Sequence, residues 1–425
     1  MLEKIKKALK FTEKYTKTDM TYIAQGGFWL MLFKAAAAAI GFVVTLFLTT
    51  HLSKEDFGVY KYVISTISLL FIFSLPGMDN AITLAFSKNE KVSLWRVVKK
   101  RIKWSFIGFL VALGLSLYYF IRSNQTLGLV FLLVSPLLPF IESLHLYTAY
   151  YRGKKNFKLF SIYQIGGLMV QSLFVILAVL FTDNVLAVVL AFFLGQLISR
   201  SALFKMTAKK IDERYDEIQT KEVISYGKKL SLTGVLTTVS DQMDKLMVWH
   251  FLGPVMLAGY VVALAFPNAI RGLTGFVTQL SLPKLAGKDW SLTSERIIFY
   301  KKIFAYFIFL FAIFVFYTLI SGSLIRHFFP EYTDFVLPSI FLGSLIFLAP
   351  IRNLLDQLFV ATKQIKIMYF YRTVGLVAFV VTFFLLSYHS ENKNLVISLA
   401  LPTEFVIAIV VQIIMLKYLN HEKKK

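Results

Sequence analysis

The stretch KMTAKKIDERYDEIQTKEV, residues 205–223, decides the fold, because it is the most polar in the chain and divides six long apolar segments from six more. Each apolar segment is long enough to cross about 30 Å of hydrocarbon as a helix. The sequence therefore predicts an all-α polytopic membrane protein with about twelve transmembrane helices. The segments begin near Thr21, Phe57, Trp104, Thr126, Leu159, Val185, Ile224, Val255, Ile303, Asp334, Ile367 and Leu395.

The basic residues lie almost entirely on one side of the predicted membrane. The two chain ends and every second connection carry most of them, whereas the remaining loops hold only Lys54, Arg122, Arg326 and Lys393. Because loops rich in lysine and arginine stay in the cytoplasm, both termini are expected there. The net charge of +22 then reflects orientation and contact with anionic lipids, and it requires no nucleic acid.

Composition excludes several kinds of chemistry. The chain has no cysteine, so disulfides, thiolate metal sites and cysteine nucleophiles are ruled out. Its six histidines are scattered without metal-ligand spacing, and no GxxxxGK[ST] phosphate loop occurs. The connections 182–184 and 252–255, predicted to lie outside, are too short to hold catalytic groups. We expect no enzyme, no metal site and no cofactor. The energy for any transport would come from a gradient, with H⁺ or Na⁺ as candidate coupling ions, from the substrate or from a partner.

The apolar segments predict two lobes and two flanking pieces. Residues 21–204 form the N-lobe and residues 224–419 form the C-lobe, with residues 205–223 as a cytoplasmic linker. Residues 1–20 have the spacing of a basic amphipathic helix on the inner leaflet, and residues 420–425 form a basic tail.

A trace of internal repetition accompanies this division. Because each half holds an even number of crossings, the repeat would be parallel, and two such lobes meeting at a cleft form a transporter design that works by rocking. At an offset of about 200 positions, the identical pairs are Gly27 and Gly227, Leu30 and Leu230, Leu52 and Leu252, and Tyr60 and Tyr260.

Eight ionisable side chains lie inside the predicted helices. Each costs about 2.5 to 3.5 kcal/mol on insertion scales, so they should face the protein interior or a water-filled cavity. Four bases are candidates for binding an anionic head group, since arginine and lysine suit pyrophosphate, and four acids are candidates for ion coupling or for lining the cavity. The bases are Lys34, Lys245, Arg271 and Arg352, and the acids are Glu142, Asp241, Asp244 and Asp356.

The same residues have structural interpretations. Asp241 and Lys245, and likewise Arg352 and Asp356, are four positions apart on one helix face and could neutralise each other. Lys34 could instead extend toward the cytoplasm. Arg271 could instead form an ion pair with Glu142 or Asp244 on another helix.

Several motifs resemble those of a known family. They are YIAQGGFW (22–29), LSKEDFGVY (52–60), DQMDK (241–245), FLGP (251–254) and AGY (258–260). Across nearly its whole length the chain resembles the polysaccharide flippases, of the O-antigen translocase type, in the multidrug/oligosaccharidyl-lipid/polysaccharide (MOP) exporter superfamily. The acid-then-lysine pattern in residues 241–245 is the most specific of these motifs.

The resemblance implies a fold and a function. The fold would be two six-helix lobes in a V shape around a cationic cavity, with Lys34, Lys245, Arg271 and Arg352 as cavity bases. The substrate would be an undecaprenyl-pyrophosphate-linked oligosaccharide, moved from the inner to the outer leaflet of a bacterial plasma membrane, with membrane lipids and other polysaccharide-assembly proteins as partners.

Three alternatives remain at this point. A cation-coupled drug or metabolite antiporter of the same fold would need the acids and tolerate loss of the bases. A lipid II flippase typically has two further helices, which this chain is not expected to have. A membrane polysaccharide polymerase or ligase would need catalytic groups at the outer face.

Overall fold

The computed structural model describes residues 20–211, 215–274, 293–362 and 364–422, and this part of the chain contains α-helices, short 3₁₀ helices and turns but no strand. The α-helices are α1 (Met20–His51), α2 (Lys54–Leu70), α3 (Gly77–Ser87), α4 (Leu94–Ile121), α5 (Gln125–Val134), α6 (Leu138–Leu144), α7 (Tyr147–Gly153), α8 (Phe157–Phe181), α9 (Val185–Ala208), α10 (Glu217–Leu252), α11 (Pro254–Ala263), α12 (Ala265–Thr274), α13 (Thr293–Phe328), α14 (Val336–Gly343), α15 (Leu345–Ala361), α16 (Ile365–His389) and α17 (Lys393–Glu422).

The predicted fold class is confirmed. Among the described residues, eleven helical stretches are long and apolar enough to cross a membrane. The seventh predicted segment falls outside this set but forms α10, an unbroken helix of 36 residues. It begins at Glu217 rather than near Ile224, so the predicted linker is partly helical.

Proline residues divide several crossings into shorter helices, because proline lacks a backbone N–H for the helical hydrogen bond and its φ is fixed. Pro76 lies between the 3₁₀ turn Phe71–Ser74 and α3, directly after Leu75, whose φ is +57°. Pro136 lies in a 3₁₀ turn, and Pro139 lies in the first turn of α6. Pro350, by contrast, is accommodated inside α15.

The short outer connections predicted from the sequence are confirmed. Only Thr182–Asn184 separates α8 from α9, and only Gly253 separates α10 from α11. Gly253 has a φ of +94°, a conformation that side chains with a Cβ rarely adopt. We call the end of the bundle with these connections the outer end, following the predicted orientation, and the opposite end the inner end.

The two lobes are in contact at the outer end. A methyl group on Gly58 would lie 2.2 Å from the carbonyl oxygen of Pro254, so the backbones of α2 and α11 touch. About one helical turn further along α2 from Gly58, the ring of Tyr62 stacks on that of Trp249, with the ring centroids 4.2 Å apart. Backbone contact and stacked aromatics together hold these outer ends close.

The lobes also meet at the inner end, along α3 and α10. A methyl group on Gly77 would lie 2.3 Å from the Ser231 nitrogen, and the Ser231 hydroxyl accepts a hydrogen bond of 3.0 Å from the Gly77 N–H. Arg96 and Glu217 form an exposed ion pair of 3.0 Å between α4 and α10. The hydrogen bond from Arg96, followed by that from Lys221, lowers the pKa of Glu217, so this carboxylate is charged at neutral pH.

Candidate functional site

Two adjoining cavities lie among α10, α12, α15, α16 and α17, and we call them together the C-lobe cavity. Their volumes, open mouths included, are about 530 Å³ and about 520 Å³. They share Ser240, Asp241, Arg352 and Glu404. The other charged residues of their lining are Asp244, Lys245, Arg271, Asp356 and Arg372.

Arg352 connects α15 to α17 across this cavity. Its Nη1 lies 3.1 Å from a carboxylate oxygen of Glu404, and both side chains are largely buried. Its guanidinium lies 4.1 Å from the centre of the Phe405 ring, and that of Arg271 lies 5.8 Å from the same ring. The Nε of Arg352 is buried without a hydrogen-bond partner in the described part of the chain. The arginine therefore retains a donor that its carboxylate partner does not use.

The acid and the lysine of the DQMDK motif do not pair as the spacing suggests. The Nζ of Lys245 donates to the backbone carbonyl of Asp241 at 3.0 Å and lies 3.2 Å from the carboxylate of Asp244. The second oxygen of Asp244 accepts a hydrogen bond of 2.7 Å from the hydroxyl of Tyr260. The interpretation in which Asp241 and Lys245 neutralise each other is not supported, because the ammonium group of Lys245 pairs with Asp244 instead.

Asp356 is the centre of a second polar cluster. It forms an ion pair of 3.1 Å with Arg372 on α16 and accepts hydrogen bonds from Tyr371 and Gln412. The interpretation in which Asp356 pairs with Arg352 is not supported either. Each of the two residues has a better-placed partner on another helix.

Glu142 belongs to the N-lobe and lies in a separate buried cluster. It pairs with Arg200 of α9 and lies 4.0 Å from Arg101 of α4. Arg101, which is completely buried, also pairs with Asp79 at 3.3 Å. The alternative in which Arg271 pairs with Glu142 was therefore wrong. The hydrogen bond that is described for Arg271 goes from its Nη1 to Asn268, at 2.9 Å.

Lys34 is exposed on α1, and its Nζ lies 6.0 Å from the ring of Phe33. It forms no ion pair with any described residue and does not line the C-lobe cavity. Asp241 is likewise without an ion pair in the described ranges, but its exposed side chain faces both parts of that cavity. The structure thus brings together six of the eight site residues expected from the sequence, all except Glu142 and Lys34.

Charged residues in and near the C-lobe cavity were also missed by the sequence analysis. Arg372 and Glu404 lie in the eleventh and twelfth segments, and each pairs with a residue that the analysis had selected. Lys61 lies on α2, near enough to Lys245 for electrostatic repulsion. A stricter search for ionisable residues inside every apolar segment would have found Arg372 and Glu404.

The charges of the C-lobe cavity balance. Its lining contains four bases and four acids, so the cationic cavity that the resemblance implied is not what the described residues form. A balanced set is expected where several charges share a low-dielectric interior, because unpaired charges there are costly. The bases are Lys245, Arg271, Arg352 and Arg372, and the acids are Asp241, Asp244, Asp356 and Glu404.

Solved structures with the same fold are transport proteins. The chain is similar to an inward-facing MATE family multidrug transporter of the MOP superfamily (TM-score 0.68, 13% identity, covering 91% of this chain and 95% of that one). It is also similar to the lipid II flippase MurJ in an inward closed conformation (0.69, 15%, 91% and 87%) and to the eukaryotic MATE transporter AtDTX14 (0.62, 10%, 93% and 94%). None of the curated proteins matches.

The fold is that of a multi-pass membrane protein and is similar to the fold of these transporters. Residues 23–286 match the family described as polysaccharide biosynthesis protein. This match spans more than half of the chain, and the chain belongs to that family, one of the flippase families of the MOP superfamily.

Proposed function

We propose that this protein moves an undecaprenyl-pyrophosphate-linked oligosaccharide, such as an O-antigen repeat unit, from the cytoplasmic to the outer leaflet of a bacterial plasma membrane. The family supplies the link to polysaccharide biosynthesis. The observation that carries the proposal is the set of bases from three helices that line the C-lobe cavity: Lys245, Arg271 and Arg352.

Arg352 is the strongest candidate for contact with the pyrophosphate. It is paired with Glu404, yet its buried Nε has no partner among the described residues. A buried unpaired donor costs about 1 to 3 kcal/mol, and a phosphate oxygen would remove this cost. Planar guanidinium groups also bind phosphate through two parallel hydrogen bonds.

Lys61 and Lys245 add to this argument. They carry like charges on α2 and α10, one in each lobe, and only Lys245 has an acidic partner in the described structure. An anion between them would remove the repulsion. Lys34, exposed on α1, is proposed to meet the head group as it approaches from the cytoplasmic side.

The test is complementation of a host whose own flippase gene is deleted. Arg352→Gln and Arg271→Gln should abolish surface polysaccharide and accumulate lipid-linked oligosaccharide on the cytoplasmic side, while the protein inserts normally. The matched control is Arg122→Gln, on an exposed arginine at the outer end. Full polysaccharide production by both cavity variants would refute anion capture.

A second candidate function is ion-coupled export of a small organic cation. Two observations favour it, namely the four acids of the C-lobe cavity and the likeness of the fold to MATE transporters. Asp241→Asn and Asp356→Asn would then stop transport, while Arg352→Gln and Arg271→Gln would spare it. Loss of transport in Arg352→Gln and Arg271→Gln, with transport retained in the two acid variants, would instead support the proposed flippase function.

The proposed orientation places both termini in the cytoplasm. Because the chain has no cysteine, single cysteines report on it directly. In intact cells, a membrane-impermeant maleimide should label Asp183→Cys at the outer end and should label Lys209→Cys only after the membrane is opened. The opposite labelling would invert the direction of transport.

A further inference from the structure

A polar pocket lies in the N-lobe, apart from the C-lobe cavity, among α1, α8, α9 and the turn between α6 and α7. Its volume, open mouth included, is about 380 Å³. We call it the N-lobe pocket. The polar side chains that line it are His145, Tyr147, Gln164, Gln171, Ser199 and Arg200.

The N-lobe pocket is polar without being charged overall. Its one permanently charged side chain, Arg200, is neutralised by the carboxylate of Glu142 behind it. The remaining groups are an imidazole, a phenol, a hydroxyl and two amides, all of which donate or accept hydrogen bonds in their neutral forms. This composition contrasts with the C-lobe cavity, which holds eight ionisable residues.

Two amides leave hydrogen-bonding capacity open in the pocket. The side-chain oxygen of Gln164 accepts from His145 at 3.2 Å and from Tyr147 at 3.1 Å, so the Gln164 NH₂ group keeps both of its donors. Gln171 is half-buried, and its amide makes no hydrogen bond to any described residue. Amides in a lipid-embedded lobe are costly unless they find partners.

Gly167 keeps space open in the pocket. A methyl group there would lie 3.6 Å from Leu203 and 3.9 Å from both the Ser199 and the Tyr147 hydroxyl oxygens. A single methyl would fit at ordinary contact distance, whereas a branched side chain would extend into the space that these hydroxyl groups border. Phe33 of α1 adds an aromatic ring to the lining.

We propose that the N-lobe pocket binds one uncharged sugar ring of the lipid-linked oligosaccharide. This inference rests on the proposed function, since the sugar is taken to arrive attached to the pyrophosphate that the C-lobe bases hold. Hydroxyl groups of a hexose match the neutral donors and acceptors of Gln164, Gln171 and Ser199, and the aromatic Phe33 suits its apolar face. The two lobes would then divide recognition, with sugar in one and phosphate in the other.

The test measures lipid binding to the purified full chain in nanodiscs by calorimetry. The probes are undecaprenyl pyrophosphate and its derivatives carrying one glucose, galactose, N-acetylglucosamine or N-acetylgalactosamine. At least one sugar-bearing lipid should bind about tenfold more tightly than the bare lipid, because each of several hydrogen bonds contributes a factor of a few. Equal affinity for all five lipids overturns the inference and leaves the proposed function standing.

The variants Gln171→Leu and Gly167→Val assign the effect to the pocket. Each should abolish the tenfold gain and leave the affinity for bare undecaprenyl pyrophosphate unchanged, whereas Arg352→Gln should weaken binding of every lipid. The matched control is Gln125→Leu, on an exposed residue outside the pocket. A gain that survives both pocket variants overturns the inference.

Failure of the proposed function gives a different result. If the wild-type chain binds none of the lipids, the proposed substrate is wrong. Binding of free methyl glycosides of the same four sugars then tests whether the N-lobe pocket is a sugar site. If a glycoside binds to the wild-type chain and Gln171→Leu abolishes this binding, the pocket is still supported as a sugar site. Absence of glycoside binding would overturn it.

Discussion

At the scale of single residues, the ion pair of Arg352 and Glu404 should be sensitive to the loss of either partner. Both side chains are largely buried, at 16% and 9% exposure. Removing one member of such a pair leaves a buried charge uncompensated and costs about 3 to 5 kcal/mol, whereas replacing both by apolar groups is often neutral. We expect Glu404→Leu to lower the free energy of unfolding by that amount.

The double variant Arg352→Leu/Glu404→Leu is the control for this prediction. Its unfolding in detergent, followed by circular dichroism during denaturant titration, should be close to that of the wild type. If Glu404→Leu alone were as stable as the double variant, the pair would contribute nothing to the fold.

Asp241 and Asp356 should respond differently to neutralisation. Asp356 accepts from Arg372, Tyr371 and Gln412, so Asp356→Asn removes the charge that balances a largely buried guanidinium. Asp241 has no ion pair among the described residues, so Asp241→Asn should preserve the melting temperature within about 2 °C, as substitutions away from buried networks usually do.

The measurement is a thermal melt of both variants, combined with transport as a function of pH and sodium. We expect Asp356→Asn to lower the melting temperature and Asp241→Asn to alter only the ion dependence, which would assign coupling to the accessible acid. A sodium and pH response of Asp241→Asn identical to that of the wild type would remove Asp241 as the coupling residue.

The buried charges show what sequence can and cannot predict at this scale. Their presence inside apolar segments is visible from the sequence, because each is a polar interruption at a fixed depth. Their partners are not, because Glu404 and Arg372 approach from helices far away in the chain. The i, i+4 spacing therefore suggested the pairs Asp241–Lys245 and Arg352–Asp356, whereas in the folded chain other residues are the ion-pair partners.

At the scale of helices, the close approach of α2 to α11 depends on Gly58. Any Cβ at this position would overlap the Pro254 backbone, so Gly58→Ala should destabilise the structure by about 1 to 3 kcal/mol, the usual cost of overpacking. Gly41→Ala is the matched control, since nothing lies within 4 Å of a methyl group there, and it should be neutral or stabilising.

The measurement is the melting temperature of both variants in the same detergent. Because the Gly58 contact joins the two lobes at the outer end, Gly58→Ala should also favour conformations in which these ends are apart. Equal melting temperatures for the two variants would show that α2 and α11 can move apart at the outer end without loss of stability.

Helix existence was largely predictable. Long apolar runs predicted the crossings. Helices are divided at Pro76, Pro136 and Pro139 but not at Pro350, so a proline alone does not predict a division.

Helix starts were less predictable, since α4 and α13 each begin ten residues before the predicted position. Similarly, α10 begins seven residues before its predicted start. Its polar first turns are helical because they pack on the inner end of the N-lobe, through the side chains of Gln219 and Thr220, and hydropathy does not register such contacts.

At the scale of the whole molecule, the structure shows lobes that touch at both ends, and alternating access requires these contacts to open in turn. The outer contacts are apolar and tightly packed, as the stacked Tyr62 and Trp249 illustrate. The Arg96–Glu217 pair at the inner end is exposed, and exposed pairs contribute only about 0 to 1 kcal/mol. This ion pair therefore adds little resistance to opening at the inner end.

Tethering the outer end should therefore stop transport. Lys54 of α2 lies 5.4 Å from the ring of Tyr332 in the other lobe, so cysteines in place of Lys54 and the adjacent exposed Glu331 are within reach of a reducible bifunctional thiol reagent. Because no native cysteine competes, cross-linking is confined to this pair. Surface polysaccharide should be lost on cross-linking and restored on reduction, whereas each single-cysteine variant should be unaffected. Continued production by the tethered protein would mean that the lobes do not separate at this edge during transport.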